Sequence, residues 1–318
     1  MTHSPRDTTV STGFFFSRST FPAAFQVALP FNLHRRSTLT LASYLTAQQH
    51  EKRLLGLLNQ FSYNHRVSTV FSDFVELSAL AISNAVDRTQ YQDREAQWHL
   101  INDRYSKEEQ ARFPAMLAEL TMAFERRIEA LQVSGARSSV MSISGDLADV
   151  LGATFMALDS GNSRAGQFFT PYEVSLLMAE MMLTDVDPTI SEKGYVTLSE
   201  PAVGAGGMVI AAAEVIHSRG FNYQRSMHAT CVDVDLRCVH MTYLQLALLH
   251  IPGVVVHGNS LTVEEWSVWH TPAHVLGGWR GRLQRARATD RSGRNFDPAV
   301  ENADHDREIA IEAVSQGT

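Results

Sequence analysis

Cysteine is scarce in this chain, which has only Cys231 and Cys238 among its 318 residues. Both lie in an apolar stretch, so we expect buried thiols rather than a disulfide or a metal site, and a reducing, cytoplasmic setting. Long apolar runs are also lacking, since none approaches the roughly 20 residues that cross a membrane, and we expect no membrane partner. The formal net charge of -7 excludes a generally basic surface. Contact with nucleic acid therefore requires a local patch or a partner.

Residues 1–42 contain apolar stretches that prolines at positions 22 and 30 interrupt. Only fragments of a secretory signal are present, because such a signal needs a basic start, an unbroken apolar core and a small-residue cleavage site. We interpret this segment as an irregular or disordered arm, or as residues upstream of the natural start, and exclude it from the fold.

Residues 43–132 have the apolar spacing of helices and predict a helical domain. One apolar stripe recurs at steps of three and four residues and comprises Val67, Val70, Phe71, Phe74, Leu77 and Ala81. A capping-box sequence, Ser-Lys-Glu-Glu at 106–109, predicts the start of a helix. The buried face of that helix is expected to include Phe113, Leu117, Leu120 and Phe124. A serine-rich stretch at 133–144 reads as a linker.

Residues 145–279 change character and predict an α/β domain. Three short β-type runs, at 195–198, 229–234 and 254–257, are separated by helical patterns, which implies a parallel sheet with right-handed crossovers. Before them, Thr-Pro-Tyr-Glu at 170–173 predicts a helix start, with Thr170 as cap and Pro171 in the first helical position. We expect Met178, Met181 and Met182 to pack in the core or between helices.

Three strand ends carry groups that suit a nucleotide-type ligand. Glycines 204, 206 and 207 follow the first strand, where a helix begins, so a ligand can approach the backbone amides closely. Asp233 ends the second strand, where a carboxylate can bind both ribose hydroxyls. Asn259 ends the third, where its side-chain oxygen can accept a hydrogen bond from an adenine amino group. Each feature also has an ordinary structural explanation: the glycines as a tight turn, Asp233 as a solvated strand end and Asn259 as a polar turn. Together they predict one crevice for an adenosine-bearing ligand.

With the sequence Gly-Gln-Phe-Phe-Thr-Pro at 166–171, these pieces resemble the adenine-N6 DNA methyltransferases, especially modification subunits of type I restriction systems. The resemblance covers roughly residues 145–262, and the helical segment before it matches the architecture of such subunits. It implies a Rossmann-like fold dependent on S-adenosylmethionine, with a reduced sheet and a preceding helical domain. It also implies that the cofactor-binding residues are Gln167, Phe168, Phe169, Thr170, Pro171, Glu200, Pro201, Gly204, Gly206, Gly207, Asp233 and Asn259. Val203, Ala205 and Asn259 depart from the family's usual Cys, Ser and Asp.

The catalytic Asn/Asp-Pro-Pro-Tyr/Phe turn of that family is missing from the sequence. The nearest candidates are Thr-Pro-Ala-His at 271–274, with Thr271, Pro272 and His274 as catalytic residues, and Asp-Pro-Ala-Val at 297–300. Val275 and Leu276 read as the stub of a fourth strand. His270 and His274 have the spacing of a helical metal site, but Pro272 lies between them and no third ligand is evident, so we predict no metal.

Residues 280–318 carry a run of arginines and then a run of acidic residues. We interpret them as a charged, flexible tail or a short helix in preference to a phosphate-contacting segment.

The leading hypothesis is an adenine-N6 DNA methyltransferase homologue of a restriction-modification type system, with the cofactor half intact and the target half reduced. DNA would be reached through a specificity-type partner, within a hetero-oligomer. The alternative is a catalytically inactive binding or regulatory protein. A third reading, a dinucleotide-dependent oxidoreductase, gives the Phe-Phe-Thr-Pro segment no role.

Overall fold

A computed structural model describes residues 45–134, 146–159 and 169–293. The predicted arm at 1–42 and most of the serine-rich linker lie outside these ranges. The chain divides after Gly277 into two compact units. The first holds the helical region and the sheet, and the second begins at Gly278.

The helical region is built from one central helix and the helices packed on it. The helices in order are α1 Ala47–Asn59, α2 Val67–Val86, α3 Tyr91–Asn102, α4 Lys107–Gln110 and α5 Arg112–Ser134. The predicted stripe on α2 is confirmed, because five of its six members, Val70, Phe71, Phe74, Leu77 and Ala81, are fully buried. By length and composition alone, α2 is a candidate membrane span, although no long apolar run was expected. However, 72% of its most apolar 18-residue stretch is buried inside the fold. A core helix passes the same test, and the packing of α2 is that of a core helix.

The capping box at Ser106 forms as predicted but begins a shorter helix. The Ser106 hydroxyl accepts a hydrogen bond from the Glu109 amide at 3.3 Å, and the Glu109 carboxylate accepts one from the Ser106 amide at 2.9 Å. Helix α4 ends after one turn, and α5 starts at Arg112 with Pro114 near its first turn, where proline is tolerated. The predicted inner face of α5, from Phe113 to Phe124, is buried.

The second part of the first unit is an α/β segment. Its elements in order are α6 Val150–Asp159, α7 Tyr172–Met182, α8 Val186–Lys193, β1 Val196–Glu200, α9 Gly207–Ser218, α10 Tyr223–Ser226, β2 Met227–Asp233, α11 Leu236–Leu248, β3 Gly253–Asn259, β4 Glu264–His270 and α12 Pro272–Leu276. Cys231 and Cys238 are free and buried, as expected.

The sheet has the strand order β1-β2-β3-β4. β1, β2 and β3 are parallel, as predicted, with Val196 opposite Met227 and Ala229 opposite Gly253. β4 instead returns antiparallel to β3. The predicted strand stub at 275–276 is wrong, because these residues belong to helix α12; Pro272 at the first position favours that helix start. The whole is a helical region followed by a mixed α/β segment with a four-stranded, mostly parallel sheet, consistent with a reduced methyltransferase fold.

The two faces of the sheet differ in polarity. Leu198, Ala229 and Cys231 alternate onto a face that packs into the hydrophobic core. On the opposite face, Thr197, Ser199 and Thr230 are exposed. A parallel sheet covered on both faces has strands that are almost continuously apolar. The alternation in β1 is that of a strand with one solvated face, whereas His228 and Val256, on the same face of β2 and β3, are buried.

Two other expectations are corrected by the structure. Met178, Met181 and Met182 on α7 are exposed rather than packed, with 43–71% of each residue accessible. Thr170 is not the cap of α7, since Pro171 occupies the cap position and no side chain caps the helix. Residues 280–318 were interpreted as a flexible tail or a short helix, and the structure has helix α13 at Trp279–Gly293; its many arginines favour helix. Residues 294–318 lie outside the described residues.

Candidate functional site

A glycine turn joins β1 to α9 in a backbone conformation that side chains would oppose. Gly204 has φ +57° and Gly206 has φ +99°, and Gly206 is the cap residue of α9. A Cβ atom at Gly204 would lie 3.1 Å from the Phe169 ring, and one at Gly206 would lie 3.3 Å from the Thr242 hydroxyl. Both positions therefore need glycine, for conformation and for space. The turn presents the first amides of α9, which carry the positive end of the helix dipole.

Side chains from α11 hold the carbonyl groups of this turn. The Thr242 hydroxyl donates to the Gly204 carbonyl at 2.9 Å, and the Gln245 amide donates to the Ala205 carbonyl at 2.7 Å. The carbonyls therefore face α11. The Gly204 and Gly206 amides are used within the fold, by Asp233 and by the Val203 carbonyl, so the amides that can meet a ligand are those of the first turn of α9. Sequence reasoning missed both residues, since their only signal is a polar residue on an otherwise apolar helix.

Asp149 extends this support beneath the turn. Its carboxylate accepts hydrogen bonds from Gln245 at 2.7 Å and from the Gly152 amide at 2.8 Å, and Gln245 accepts one from the Leu151 amide at 3.1 Å. Burial raises the pKa of Asp149, and these hydrogen bonds oppose the rise. The start of α6, the glycine turn and α11 are thus joined by one buried network.

Asp233 links the glycine turn to the end of β2. One carboxylate oxygen accepts from the Gly204 amide at 2.8 Å, and the other accepts from the Asp235 amide at 2.9 Å. Each carboxylate oxygen has two acceptor sites, so both retain capacity for a ribose hydroxyl. The structure brings Asp233 beside Gly204, as the predicted crevice requires.

Asn259 lies at the same edge of the sheet, at the end of β3. Its side-chain oxygen accepts hydrogen bonds from the amides of Leu261 at 2.9 Å and Thr262 at 3.4 Å. This oxygen was expected to accept from an adenine amino group, but two backbone donors already use its lone pairs. The NH2 group of the side chain is the group that remains to donate, which suits a ring nitrogen.

The other cofactor-binding candidates are placed as follows. Phe169 packs against Phe155 with ring centroids 5.4 Å apart and lies over Gly204. The Glu200 carboxylate accepts from the Ala202 amide at 3.3 Å, and burial raises its pKa. Pro201 is exposed beside it, and Thr170 and Pro171 precede α7. Gln167 and Phe168 lie outside the described residues.

The catalytic candidates Thr271, Pro272 and His274 lie at the opposite edge of the sheet. The Thr271 hydroxyl accepts from the Gly253 amide at 2.9 Å and donates to the Ile251 carbonyl at 3.0 Å. Gly253 begins β3 and Asn259 ends it, so at about 3.3 Å per residue Thr271 lies roughly 20 Å from the crevice. Thr271 is fully buried and caps α12. The structure does not bring these three residues to the cofactor candidates.

The histidines near α12 form ring contacts. His274 hydrogen-bonds to buried His228 at 2.8 Å, and the His270 and His274 ring centroids are 5.0 Å apart. Among the residues that the structure describes, no group of three His, Cys, Asp or Glu side chains is arranged to hold a metal ion.

The site thus consists of a glycine turn at a strand-to-helix junction and polar side chains at the ends of the next two parallel strands. These features define an α/β protein with a nucleotide-type binding edge. Residues 147–277 match the family model N-6 DNA Methylase. This match over the α/β segment confirms the resemblance that its motifs carry to the N-6 DNA methylases. The match begins just before Asp149 and ends at Gly277, after α12. Searches of curated proteins and of solved structures each gave no match.

Proposed function

We propose that this chain binds S-adenosylmethionine at the carboxyl edge of its parallel strands, as a Rossmann-like DNA adenine-N6 methyltransferase homologue of a restriction-modification type system. The observation that carries the proposal is the 2.8 Å hydrogen bond between the Gly204 amide and Asp233. It joins the glycine turn at the head of α9 to the acidic end of the neighbouring strand. That arrangement suits a ligand with a ribose on one side and a charged amino-acid end on the other.

The residues present fit this cofactor. Gly204 and Gly206 have no side chain to fill the space over the turn, and a Cβ at Gly204 would meet Phe169. Asp233 would hold the ribose, the Asn259 amide would meet the adenine, and Phe169 would contact the methionine end. By the resemblance, Gln167 and Phe168 act with Phe169. The cofactor, when bound, supplies an activated methyl group on a sulfonium.

Methyl transfer to adenine would depend on a partner. The chain lacks an Asn/Asp-Pro-Pro-aromatic turn, and the nearest substitute, at Thr271, is buried at the far edge of the sheet. We propose that a specificity-type subunit brings DNA and the acceptor-binding groups, in a cytoplasmic hetero-oligomer. Adenine would then be turned out of the duplex to reach the methyl group.

A second candidate function is a catalytically inactive, cofactor-binding regulator. It is favoured by the exposed polar face of the sheet at Thr197, Ser199 and Thr230. A complete doubly wound domain would cover this face with further helices and an apolar interface. The exposed positions at β1 and Thr230 therefore favour a reduced domain, as the second candidate requires.

Calorimetric titration of S-adenosylmethionine into the purified chain tests cofactor binding. We expect Asp233→Ala to weaken binding by at least about tenfold, because hydrogen bonds to a charged group contribute about 1.5–3 kcal/mol. The control is Asp93→Ala, which removes an exposed carboxylate on α3 and should bind like the wild type. Circular dichroism checks that both variants are folded. If the wild type shows no binding, the proposed function fails.

Methyl incorporation separates the two candidate functions. Labelled cofactor is incubated with mixed DNA, with and without extract of the source cells, and the modified base is identified. A methyltransferase homologue that needs a partner should label adenine only with extract and wild-type protein, with the Asp233→Ala variant inactive. Cofactor binding without labelling under any condition would support the regulator.

A further inference from the structure

Exposed apolar side chains gather at the carboxyl ends of β2 and β3. The residues concerned are Val234, Leu236, Leu261, Val263 and Trp266. Single exposed apolar residues are ordinary, but a local group beside a crevice marks a binding surface. We call these five residues the apolar rim.

Trp266 contacts the ring of His257, which lies beside the cofactor-binding candidate Asp233. Its indole lies edge-on to His257, with centroids 4.8 Å apart. His257 is the register partner of Asp233 in the β2–β3 ladder, and its Nε2 lies 3.3 Å from the Val234 carbonyl. Trp266 therefore lies at the strand pair that carries Asp233 and Asn259, on the side of β4.

The β3–β4 hairpin holds Trp266 in a constrained position. A Cβ atom at Gly258 would lie 2.2 Å from the Glu264 carbonyl oxygen, so the two strands approach too closely for any other residue. Val263 in the turn has φ +59°, which is unusual for a β-branched residue and indicates a conformation imposed by its surroundings. The register shifts between His257 and Gly258, and such bulges re-aim side chains next to functional sites.

The negative charge of the β3–β4 hairpin favours an uncharged aromatic ligand over DNA. Glu264 and Glu265 are exposed on β4 beside Trp266, so the phosphate backbone of DNA would be repelled there. An uncharged nucleoside meets no such repulsion. The accessible indole and the apolar rim suit the π-face of a base, since base–aromatic stacking needs no specific hydrogen bonds.

We propose that Trp266 stacks on the adenine ring of the bound cofactor and forms the outer wall of its pocket. The inference rests on the proposed cofactor binding and adds a residue from β4, the strand that returns antiparallel in this chain. His257 holds the indole edge-on, Val234 contributes an apolar surface at the end of β2, and the Asn259 amide fixes the ring edge. Trp266 thereby contributes to binding of the nucleoside part, whatever group is attached at its 5′ position.

Fluorescence gives a direct test, because Trp266 is the only exposed tryptophan. It is 52% accessible, whereas Trp98, Trp269 and Trp279 are at most 5% accessible. With excitation selective for tryptophan, S-adenosylmethionine and adenosine should each change the wild-type emission, and methionine should not. The Trp266→Phe variant should bind with no comparable signal. An equal signal from that variant would overturn the proposal.

Calorimetry separates this inference from the function on which it rests. Trp266→Ala should weaken S-adenosylmethionine and adenosine by the same factor, about tenfold, and Trp266→Phe should stay within about twofold of wild type. Leu100→Ala, which removes an exposed apolar residue on α3, is the matched control and should bind normally. If the wild type binds and Trp266→Ala binds equally well, this inference alone fails. If the wild type binds neither ligand, the proposed function fails and this inference with it.

Discussion

At the scale of the residue, Arg94 on α3 shows how one buried side chain joins the helical region to the sheet. Its guanidinium donates to the Ser83 hydroxyl and, at 3.0 Å, to the Val268 carbonyl of β4. It also lies 3.6 Å from the Asp87 carboxylate, and its Cζ stacks 4.0 Å from the Trp269 ring centre. Arginine alone combines a planar face with several donors, so these contacts depend on this side chain.

Replacement of Arg94 by lysine keeps the positive charge but removes the planar guanidinium, with its several N–H donors and its stacking surface. We expect Arg94→Lys to lower the free energy of unfolding by about 2–4 kcal/mol, because buried partners are left unpaired. Urea unfolding followed by circular dichroism measures the change. The control is Arg53→Lys on α1, whose exposed side chain lies 3.7 Å from Glu119 and should matter by less than about 0.5 kcal/mol. Equal losses in both variants would contradict this role.

At the scale of the element, α5 carries a carboxyl group on its buried side. Glu125 is 6% accessible, and burial raises its pKa to about 7, with a further rise from Glu129 and a smaller opposing effect of Arg126. In the unfolded chain a glutamate titrates near its ordinary value of 4.5. The folded state therefore binds a proton that the unfolded state has released, at every pH between these two values.

Stability should consequently fall as the pH rises from about 4.5 to about 7, by up to roughly 3 kcal/mol from this group, since one pKa unit is worth about 1.4 kcal/mol. Glu125→Gln should remove most of this fall and stabilise the protein at pH 8. Urea unfolding at pH 5 and pH 8 measures both effects. Glu108→Gln, at an exposed position on α4, should leave the pH dependence as it is. A Glu125→Gln variant with the wild-type slope would refute the assignment.

At the scale of the whole molecule, the sheet is covered on one face, and its other face is exposed at β1 and at Thr230 but buried at His228 and Val256. Leu198 on β1 is half-buried against the core, and Thr197 beside it is exposed. In a doubly wound sheet β1 is a central strand with a neighbour on each side. Here β1 ends the order β1-β2-β3-β4 among the described strands, and β4 extends the sheet on the far side of β3.

A charged substitution on each face tests this arrangement. Thr197→Lys and Thr230→Lys should change the free energy of unfolding by less than about 0.5 kcal/mol, because both positions face solvent. Ala229→Lys, on the covered face of β2, should prevent folding or cost several kcal/mol, since Ala229 is fully buried and the change buries an unpaired charge. Urea unfolding of the isolated chain provides the comparison. A large loss from the threonine variants would mean that another layer covers this face.

The sequence by itself determined the helical region, the three parallel strands and the crevice residues Gly204 and Asp233, because each depends on local spacing. Periodicity marked the buried stripe of α2, and glycines at a strand end have few other roles. β4 was not predictable, since an antiparallel return strand depends on its pairing with β3 rather than on its own pattern. The same holds for Thr242 and Gln245, which have no motif and reach the turn only after α11 packs.

Only the tertiary structure decided what each polar group does. The sequence Thr-Pro-Ala-His at 271–274 suggested a catalytic turn, but strand direction puts it at the amino edge of the sheet, where Thr271 caps a helix. Asn259 was expected to offer an oxygen, but the turn after β3 uses that oxygen and leaves the NH2 group. Residue type fixes which hydrogen bonds are possible, whereas packing fixes which lone pairs are already taken. For that reason the grouping of Gly204, Asp233 and Asn259 at one edge of the sheet was predictable from sequence, and their hydrogen bonds and the position of Trp266 were not.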